Sequence, residues 1–482
     1  MGLKYRFTTG ENDLAELQFL GAAQQVTGSC YLLETESLGR TLLDCGMHQG
    51  GDAVDRLQEE SFPFDPTSID NLILSHAHLD HSGLIPLLVS RGFSGTIYCT
   101  PGTLKLLPIM FNDAAGLYER DLKHENRRRQ RKGLKPLKPI YTKKDVETAI
   151  ELCRPVPYGR DWPVGKTGKA SLRFLDAGHI LGAAITELTF PEDGRNKKLV
   201  FSGDLGKKVA VLMNEPATVK SADLLLMEGT YGNRNHRSLA NTMQQFEEIL
   251  RESWKRKGNI LIPSFAVGRT QEVLFHLGQL HHAGKLDPWQ VYLDSPMAIA
   301  VTDVYDECLH VLDRQDAAKI REMHKGSLKN FLPNLKYVDT PEESMALNDI
   351  KHGAIIIAGS GMCTGGRIRH HLKERVWNKN NTVMFVGFQA AGTLGRILVD
   401  GAKEIRLFGE EMIVKAKIET LNGFSAHADQ AELVDWLLQV EGKPRVMLVH
   451  GELNALDTLS MKLWREHKRA TEIPYIGQRI FF

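Results

Sequence analysis

Four side chains that commonly bind metal ions fall within the short run from His76 to His81, which reads His-Ala-His-Leu-Asp-His. An apolar stretch with the character of a β-strand comes just before this run. Alternate residues of an extended chain point to one side, so His76 and His78 can bind one cation. A turn after His78 then lets Asp80 and His81 face a second cation. The spacing predicts a site for two metal ions, whereas a single buried histidine usually has only a structural role.

Further metal-binding side chains end three apolar runs elsewhere in the chain. His179, Asp204 and His450 each follow a run that reads as a strand, and no cysteine belongs to this set. Imidazole nitrogen and carboxylate oxygen are ligands that suit catalytic zinc, because structural zinc sites usually use cysteine. Manganese and iron accept the same ligand types, so the ligands alone leave the choice among these metals open.

The length and composition are those of a globular protein with at least two domains. The chain has 482 residues, of which 42% are hydrophobic and 25% are charged. Its net charge of +1 means that attraction to a nucleic acid has to come from local patches. Six scattered cysteines form no CxxC pair, which favours a reducing cytoplasm over a disulfide framework. Residues 1–6 lack an apolar signal core and no run approaches membrane-spanning length, so a cytoplasmic protein without membrane contact is expected.

Strand and helix patterns alternate through most of the chain. Residues 15–46 read as a strand, a turn and a hairpin, and 172–190 read as a second hairpin that carries His179. The other expected elements include helices 83–90, 142–153, 238–257 and 269–280 and strands 95–99, 222–228, 259–263 and 290–293.

The sequence pattern of residues 233–417 indicates a separate domain. Long amphipathic helices alternate there with short apolar strands, which is the pattern of βαβ units in a parallel sheet. Because His450 lies beyond this block yet must reach the same metals as His76, we interpret the block as an insertion. The expected domains are therefore a first domain formed by 1–232 and 418–482 and an inserted domain formed by 233–417.

Together these motifs resemble the metallo-beta-lactamase superfamily, whose signature is the His-x-His-x-Asp-His run followed by a distant histidine, aspartate and histidine. The resemblance implies two zinc ions per chain, one held by His76, His78 and His179 and the other by Asp80, His81 and His450, with Asp204 as the bridge. Asp44, which follows the apolar pair Leu42-Leu43, matches the first motif of the family. It would support the metal site from behind the ligands, as metal-bound imidazoles usually require.

Three further motifs resemble the beta-CASP branch, the nucleic-acid nucleases of that superfamily. Glu228 in Met-Glu-Gly-Thr-Tyr-Gly matches motif A, His427 in Gly-Phe-Ser-Ala-His-Ala-Asp matches motif B, and His450 matches motif C. This form of motif B is similar to that of the endonuclease subunit of the eukaryotic cleavage and polyadenylation factor and its prokaryotic relatives. The histidine in motif C favours RNA over DNA. The implied fold is α/β, a metallo-beta-lactamase αββα sandwich with an inserted parallel-sheet beta-CASP domain.

The residue types also indicate a reaction. Two cations about 3.5 to 4 Å apart can supply hydroxide at neutral pH, polarise a phosphoryl oxygen and offset the charge of an in-line displacement. Hydroxide attack needs no ribose 2′-hydroxyl, so a 5′-phosphate and a 3′-hydroxyl are the expected products. His427 is the expected general acid for the departing 3′ oxygen, and Glu228 would orient it and favour its protonated form. Asp80 and Asp44 complete the expected catalytic set, and a structural role is the alternative for His427.

Substrate contacts are expected in motif B, through Ser425, and in a glycine-rich loop, 359–367, that follows a strand-like run. Gly365 and Gly366 would let backbone N–H groups approach a phosphate, and Arg367 would add positive charge. Tight packing is the alternative explanation for the glycines.

Residues 120–139 form a basic segment that contains nine Lys or Arg against only Asp121 and Glu125. Such a run is usually a solvated helix face or a loop. Contact with an RNA backbone is the alternative.

The sequence therefore predicts a zinc-dependent ribonuclease that binds single-stranded RNA in the cleft between its two domains. Internal cutting is preferred to 5′-exonuclease action on the form of motif B. A small-molecule hydrolase would not need the insertion, a DNA-processing nuclease is disfavoured by His450, and a scaffold subunit would not need every expected ligand. The sequence leaves open a homodimer and membership of an RNA-processing or decay complex.

Overall fold

Three sheets organise the molecule. The computed structural model describes residues 15–48, 57–58, 60–192, 194–323, 326–390 and 392–482. Two mixed sheets of seven and six strands form one half of the molecule, and a six-stranded sheet of parallel strands forms the other half. This arrangement is the α/β fold class that the sequence predicts. Residues 1–6, on which the absence of a signal core was judged, lie outside the described ranges.

The first sheet has the strand order β21-β1-β2-β3-β4-β5-β6. Its strands are β1 (Glu16–Phe19), β2 (Tyr31–Thr35), β3 (Gly39–Leu43), β4 (Asn71–Ile73), β5 (Thr96–Cys99), β6 (Cys153–Pro155) and β21 (Arg479–Phe481). β1 to β3 form an antiparallel hairpin array, and β3 to β6 run parallel. The parallel arrangement brings the carboxyl ends of β3 and β4 to one edge.

The second sheet has the order β20-β11-β10-β9-β8-β7. Its strands are β7 (Trp162–Val164), β8 (Ala170–Asp176), β9 (Ala184–Glu192), β10 (Arg195–Phe201), β11 (Leu224–Glu228) and β20 (Arg445–Val449). β8 and β9 form the predicted antiparallel hairpin, whereas β10, β11 and β20 are parallel neighbours. The carboxyl ends of these three strands therefore also meet at one edge.

The two sheets pack face to face through alternate residues of their strands. Leu224 and Leu226 of β11 belong to the apolar core that also contains Tyr31 of the first sheet. The intervening Leu225 and Met227 belong to a second core, with helix residues. Because strand side chains alternate between faces, each sheet packs on the other sheet with one face and on helices with the other, as in the expected αββα sandwich.

Helices cover the outer faces of this sandwich. They are Leu79–Ser82, Ile85–Ser90, Pro101–Arg131, Lys143–Glu151, Gln430–Leu438 and Leu453–His467, with a 3-10 turn at Pro66–Ser68. The helix predicted over 142–153 begins at Lys143, where Thr142 and Asp145 form a capping box. It ends at Glu151, and Cys153 instead begins β6, because that residue pairs with Ile97 of β5.

The parallel sheet lies between the segments that build the sandwich and has the order β14-β13-β15-β12-β16-β19. Its strands are β12 (Ile260–Pro263), β13 (Gln290–Asp294), β14 (Leu335–Tyr337), β15 (Ala354–Ala358), β16 (Thr382–Phe385) and β19 (Lys417–Thr420). The helices are Leu239–Lys255, Arg269–His282, Pro296–Glu307, Arg314–Met323, Leu328–Phe331, Pro341–Ala346, Ile368–Arg375 and Leu394–Val399, with 3-10 turns at Leu347–Asp349 and Asn422–Phe424. A hairpin of β17 (Glu404–Leu407) and β18 (Glu410–Ile413) completes this half.

The predicted end of the insertion, at residue 417, falls on the first residue of β19. Because β19 pairs with β16 along its whole length, we propose that the inserted domain continues to Thr420. Within the described ranges, no helix combines the length and the apolar character needed to cross a lipid bilayer.

Candidate metal centre and catalytic pair

The chain turns sharply where strands end, and these turns carry most of the candidate ligands. Asp44 follows β3 and His450 follows β20, both with left-handed backbone, at φ 60° and 48°. Such conformations are unfavourable for residues other than glycine, and they recur at functional sites where the surrounding structure holds them in place. Asp204 lies in the turn after β10, and Glu228 is the last residue of β11. The strand ends thus bring distant parts of the sequence to one place.

The first group of ligands comprises His76, His78, His179 and Asp204, each of which offers one ligand atom within 4.8 Å of the others. The Nε2 atoms of His76 and His179 lie 3.2 and 3.3 Å from Nδ1 of His78. Both Nε2 atoms also lie 3.5 Å from Oδ2 of Asp204. Three imidazoles and one carboxylate oxygen therefore converge on a single point.

The second group comprises Asp80, His81 and His450, again within 4.8 Å of one another. Oδ1 of Asp204 lies 3.4 Å from Nε2 of His81 and 3.4 Å from Nδ1 of His450. Oδ2 of Asp80 lies 3.8 Å from Nε2 of His450. Asp204 therefore faces one group with each of its carboxylate oxygens, which is the geometry of a bridging ligand.

Several buried polar atoms of these groups make no hydrogen bond to any described residue. They are Nε2 of His78, Nε2 of His81, Nδ1 of His179, Oδ1 of Asp204 and Nε2 of His450. The atoms of His78 and His179 are not the nitrogens that converge in the first group. A buried polar atom without a partner costs about 1–3 kcal/mol, so the other three, which belong to the second group and to Asp204, call for a partner that the protein itself does not supply. Nitrogen and carboxylate donors around such a gap fit divalent cations of the zinc type.

Asp44 lies behind His81 and is fully buried. Its Oδ2 lies 2.7 Å from Nδ1 of His81 and accepts hydrogen bonds from the hydroxyls of Ser29 and Ser75, at 3.0 and 2.9 Å. Its Oδ1 accepts the backbone N–H of Ser75 at 2.8 Å. The carboxylate therefore orients His81 with Nε2 toward the cluster. Sequence reasoning identified Asp44 but missed the two serines, whose role depends on the fold.

The charge states of His76, His179 and Asp204 suit metal binding, whereas His81 has to lose a proton when a cation binds. Burial alone would lower the pKa of His81, but the carboxylates of Asp204 and Asp44 raise it well above the ordinary value. Burial lowers the pKa of His76 and of His179 well below the ordinary value, so both imidazoles are neutral, as metal ligands must be. Burial alone would raise the pKa of Asp204, but the surrounding imidazoles, His450 and His81 foremost, hold it well below the ordinary value. Asp204, which lies between the two groups, is therefore a carboxylate.

Glu228 and His427 form a pair beside the cluster. Nδ1 of His427 lies 3.1 Å from Oε1 of Glu228 and 3.9 Å from Oδ2 of Asp204. Burial alone would lower the pKa of His427, but the carboxylates of Glu228 and Asp204 raise it to about 9. The side chain of Glu228 is fully buried, whereas 19% of the His427 side chain is exposed. His427 is therefore the member of the pair that a substrate can reach.

The same distances leave a second role open for this pair. Asp204, Glu228 and His427 also offer ligand atoms within 4.8 Å of one another. Glu228, however, already accepts the backbone N–H groups of Leu205, at 2.7 Å, and Thr230, at 3.2 Å. These hydrogen bonds fix its carboxylate toward the protein and favour an orienting role.

Two residues that the sequence did not single out contact the site. The hydroxyl of Thr230 lies 3.2 Å from Nδ1 of His450 and donates to the backbone carbonyl of the same residue at 3.1 Å. Lys207 is buried and donates from Nζ to the carbonyl of Gly423, at the start of the motif B turn, at 2.8 Å. Thr230 lies two residues after Glu228, and this position is the only sequence signal that could have identified it as a site residue. No sequence pattern identifies Lys207.

The predicted substrate contacts lie in two places. Ser425 is buried next to the catalytic pair, and its Oγ accepts the backbone N–H of His427 at 3.3 Å. Arg367 lies in the inserted domain, where its guanidinium donates to Oδ1 of the buried Asp294 at 2.6 Å and to two backbone carbonyls. The Arg367 side chain thus has protein partners, and its contact with substrate stays a prediction.

The glycine-rich loop shows why its glycines are needed. Gly366 has φ 72°, and a Cβ there would lie 2.2 Å from the carbonyl oxygen of Gly359. Tight packing, the alternative from the sequence, therefore accounts for Gly366. Gly365 has open space around its Cα, and its N–H donates to Oγ of Ser360 at 3.2 Å. Phosphate binding by these two glycines stays a prediction.

The sequence matches three families along its length. Residues 24–263 match the metallo-beta-lactamase superfamily, residues 270–398 match the Beta-Casp domain, and residues 411–474 match the Zn-dependent metallo-hydrolase RNA specificity domain.

Several named proteins are similar over nearly the whole chain. A ribonuclease of Thermus thermophilus is 39% identical over 445 residues, which cover 92% of this chain and 94% of that protein. An RNase J-like protein of Methanocaldococcus jannaschii is 31% identical over 464 residues, which cover 96% and 98%. The transcription termination factor FttA of the same organism is 31% identical over 477 residues, which cover 95% of this chain and 70% of the factor.

A solved structure of a protein of unknown function from Enterococcus faecalis has a similar fold. It superposes with a TM-score of 0.51 at 14% sequence identity, covering 97% of this chain and all of that one. At this identity the similarity concerns the fold alone.

Proposed function

Because this chain belongs to the beta-CASP branch of the metallo-beta-lactamase superfamily and is a metal-dependent hydrolase, we propose that it is a zinc-dependent ribonuclease. The substrate is the phosphodiester backbone of single-stranded RNA, and the products are a 5′-phosphate and a 3′-hydroxyl. The similarity of residues 411–474 to an RNA specificity domain and the ribonuclease names of similar proteins support RNA as the substrate.

Two zinc ions are proposed for each chain. His76, His78 and His179 would hold the first ion, Asp80, His81 and His450 would hold the second, and Asp204 would contribute an oxygen to each. The observation that supports two cations is the orientation of Asp204. Its Oδ2 lies 3.5 Å from imidazole nitrogens of the first group, and its Oδ1 lies 3.4 Å from imidazole nitrogens of the second group. Bound divalent cations supply Lewis acidity toward a phosphoryl group and make water a stronger nucleophile.

The residues of the chain then have separate tasks. Asp44 holds the orientation of His81 through the 2.7 Å contact with Nδ1. The carboxylate of Asp204 balances the charge of the surrounding cations and imidazoles. Ser425 positions the backbone at His427, and the exposed part of the His427 side chain faces the substrate.

His427 is the proposed general acid, and its contact with Glu228 is the observation that carries the proposed function. In-line displacement at phosphorus leaves negative charge on the departing 3′ oxygen, which needs a proton in the transition state. The 3.1 Å contact between Nδ1 of His427 and the buried Glu228 stabilises the imidazolium and leaves Nε2 to donate that proton. A metal-binding pocket without such a pair would serve other hydrolyses equally well.

Internal cutting is proposed over exonuclease action, on the similarity of the motif B turn, 423–427, to that of the cleavage-factor endonuclease subunit. The test is incubation of the purified, zinc-loaded protein with linear and covalently closed circular RNA of the same sequence. We expect both to be cut. Resistance of the circle together with degradation of the linear form would reassign the protein as an exonuclease, and inertness toward both would overturn the proposed function.

Single-stranded RNA should be cut in preference to duplex RNA and to DNA. A basis for this expectation is the position of the catalytic pair between the sandwich and the insertion, which favours a flexible strand. Equal rates on duplex and single strand, or faster cutting of DNA, would contradict it. A cytoplasmic location, a homodimer and membership of an RNA-processing or decay complex stay predictions, of which the six free cysteines support the first.

A further inference from the structure

The positive charge of this protein is concentrated in one short segment. Residues 120–144, which we call the basic arm, contain eleven Lys or Arg and two carboxylates. The rest of the chain then carries 49 Lys or Arg against 57 Asp or Glu. The rest of the chain, taken together, therefore has a negative net charge, and the arm is a local concentration of positive charge for a polyanion.

The arm begins in the last part of the helix Pro101–Arg131. That helix buries a stripe of side chains at spacings of three and four residues, which ends at Leu122, and no residue from 123 to 131 is buried. The segment after the helix turns back along it, fastened by the Asn126 side chain to both backbone groups of Leu137, at 3.0 and 2.7 Å. The arm is thus an ordered projection, not an unstructured loop.

Three basic side chains of the arm, Lys123, Arg127 and Arg131, stand one above the other on the helix, four residues apart. All three are exposed, and among the described residues no carboxylate lies within ion-pairing distance of them. Lys123 and Arg127 line a cavity of about 650 Å³ between the helix and the returning segment. The cavity offers open space beside unpaired positive charge.

Helix stability alone does not explain this charge. Basic residues in the last turn, such as Arg128 and Arg129, interact favourably with the helix dipole, but that effect falls off within one turn. Lys123 lies two turns before the end of the helix, and Lys135 and Lys138 lie outside it. A ligand that carries regularly spaced negative charge accounts for all of them.

The other end of the same helix is hydrogen-bonded to the turn that carries His179. Hydroxyls of Thr100 and Thr103 donate to the carbonyl of Gly182, at 2.6 and 2.9 Å, in the turn that carries His179. Arg127 lies 26 residues along the helix from Pro101, which corresponds to about 40 Å at 1.5 Å per residue. A strand that runs from the centre along the helix with its bases stacked, about 3.4 Å apart, reaches the arm after on the order of ten nucleotides.

We propose that the basic arm is a second docking surface for the sugar-phosphate backbone of RNA, distant from the metal centre and used only by substrates long enough to span both. Recognition there is independent of base sequence, because exposed cations contact phosphates and carry no base information. The tyrosines at the arm, Tyr141 and Tyr118, are buried and stack on each other at 5.4 Å, so neither is free to stack on a base. This inference rests on the proposed function, since it assigns RNA as the ligand.

The test is a triple variant, Lys123→Gln, Arg127→Gln and Arg131→Gln, which removes three charges and keeps residues with good helix propensity. A control variant, Lys336→Gln, Lys415→Gln and Lys443→Gln, removes the same charge from exposed, dispersed positions. Binding of labelled oligouridylates of about 24 and about 6 nucleotides, lengths chosen on either side of the span, is measured by fluorescence anisotropy over a range of salt concentrations. All proteins carry His427→Ala to slow turnover.

We expect the triple variant to bind the long RNA roughly tenfold more weakly, with a salt slope smaller by about 2, since each lost phosphate contact on a single strand contributes about 0.7. Binding of the short RNA and the behaviour of the control variant should match those of the parent protein. Unchanged affinity for the long RNA would overturn the proposal and leave an acidic protein as the partner of the arm. An equal loss for both lengths would also overturn it.

The two proposals fail in different ways. If the parent protein binds long RNA through the arm, but the protein with His427 intact cuts no RNA, the docking surface is supported and the proposed function is overturned. If the protein with His427 intact cuts RNA, and the triple variant has the same kcat/KM on both the long and the short RNA, the proposed function is supported and the docking surface is overturned.

Discussion

Asp204 is the residue on which the two metal positions depend. Its Oδ2 faces His76 and His179 and its Oδ1 faces His81 and His450, at 3.4 to 3.5 Å in each case. We therefore expect Asp204→Ala to lose most of both bound metals. His450→Ala should lose about one metal per chain, because His450 contacts one group only. Elemental analysis of the purified variants measures both.

A histidine far from the centre provides the control for these metal contents. His467 lies at the end of the helix Leu453–His467, and His467→Ala should retain the metal content of the parent protein. Equal losses in Asp204→Ala and His450→Ala, or a parent protein that saturates with one metal, would contradict the bridging role.

Asp44 acts one step away from the metals. Asp44→Asn keeps the size of the side chain but replaces the charged acceptor that faces Nδ1 of His81 at 2.7 Å. Loss of a partner behind a metal-bound imidazole typically weakens metal affinity by about 10- to 100-fold. Competition with a chelator should report a loss in that range, without unfolding by circular dichroism. Undiminished affinity would mean that Ser29 and Ser75 orient the site without the charge.

The sequence predicted the ligands because each has a chemical signature at a strand end, as His76 and His450 do. It did not predict Ser29 or Thr230. Their hydroxyls contact Asp44 and His450 across 15 and 220 residues of sequence. A hydroxyl has no signature of its own, since serine and threonine are common at turns, and only the fold selects these partners.

At the scale of elements, the parallel order of strands explains the convergence of the site. β10, β11 and β20 are neighbours that run in one direction, so Asp204, Glu228 and His450 leave the sheet at one edge. The sequence allowed this inference from apolar runs that end in polar residues. It did not reveal which strands are neighbours, because that order is decided by long-range packing.

The helix Pro101–Arg131 is an element that the sequence analysis did not identify. Pro108 and Gly116 lower its apparent helix propensity, and like charges repel one another in the basic run after Arg120, so only a solvated face or a loop was expected for its last part. Burial of its apolar stripe against the sandwich outweighs those local costs. The paired hydrogen bonds of Asn126 then hold the final turns.

Asp306 provides a test of packing between two helices of the insertion. It lies in the helix Pro296–Glu307, and its Oδ1 accepts the backbone N–H of Leu328, the first residue of the helix Leu328–Phe331, at 2.7 Å. Burial raises its pKa to about 6. The folded state therefore binds more protons than the unfolded state between about pH 4 and pH 6, and the contribution of Asp306 to stability falls as the pH rises through that window.

Asp306→Asn retains the acceptor and removes the charge. We expect it to stabilise the protein at pH 7.5 by roughly 1 kcal/mol, allowing for the partial exposure of the side chain, and to have little effect at pH 4. Thermal unfolding at the two pH values measures the difference. Asp435→Asn, at an exposed position on another helix, is the control and should change stability less. Destabilisation by Asp306→Asn at pH 7.5 would show that the charge supports the turn at Leu328.

At the scale of the whole molecule, the site exists only when both halves of the chain are folded together. His76 and His450 are separated by the entire insertion, and Glu228 meets His427 across 199 residues. The sequence predicted that both halves of the chain contribute to one site, because distant ligands have to share that site. The exact end of the insertion was less predictable, since β19 is identified only by its pairing with β16.

Glu228 and His427 come from the two sides of the insertion, so variants of this pair test the entire account. If His427 donates the proton to the 3′ leaving oxygen, His427→Ala should lower turnover by roughly 10² to 10⁴ while zinc content and RNA binding stay near those of the parent protein. Glu228→Gln should act in the same direction. The two losses should not multiply in the double variant, because both report one proton transfer.

The most direct measurement uses an RNA whose scissile bond carries sulfur in place of the bridging 3′ oxygen, a leaving group that needs little protonation. Turnover of this substrate and of ordinary RNA is compared for the parent protein and for His427→Ala. The account predicts that the deficit of His427→Ala largely disappears on the sulfur substrate and that the variant retains its zinc. A deficit that persists undiminished, or a loss of zinc, would contradict the general-acid role and make His427 a structural residue or a metal ligand.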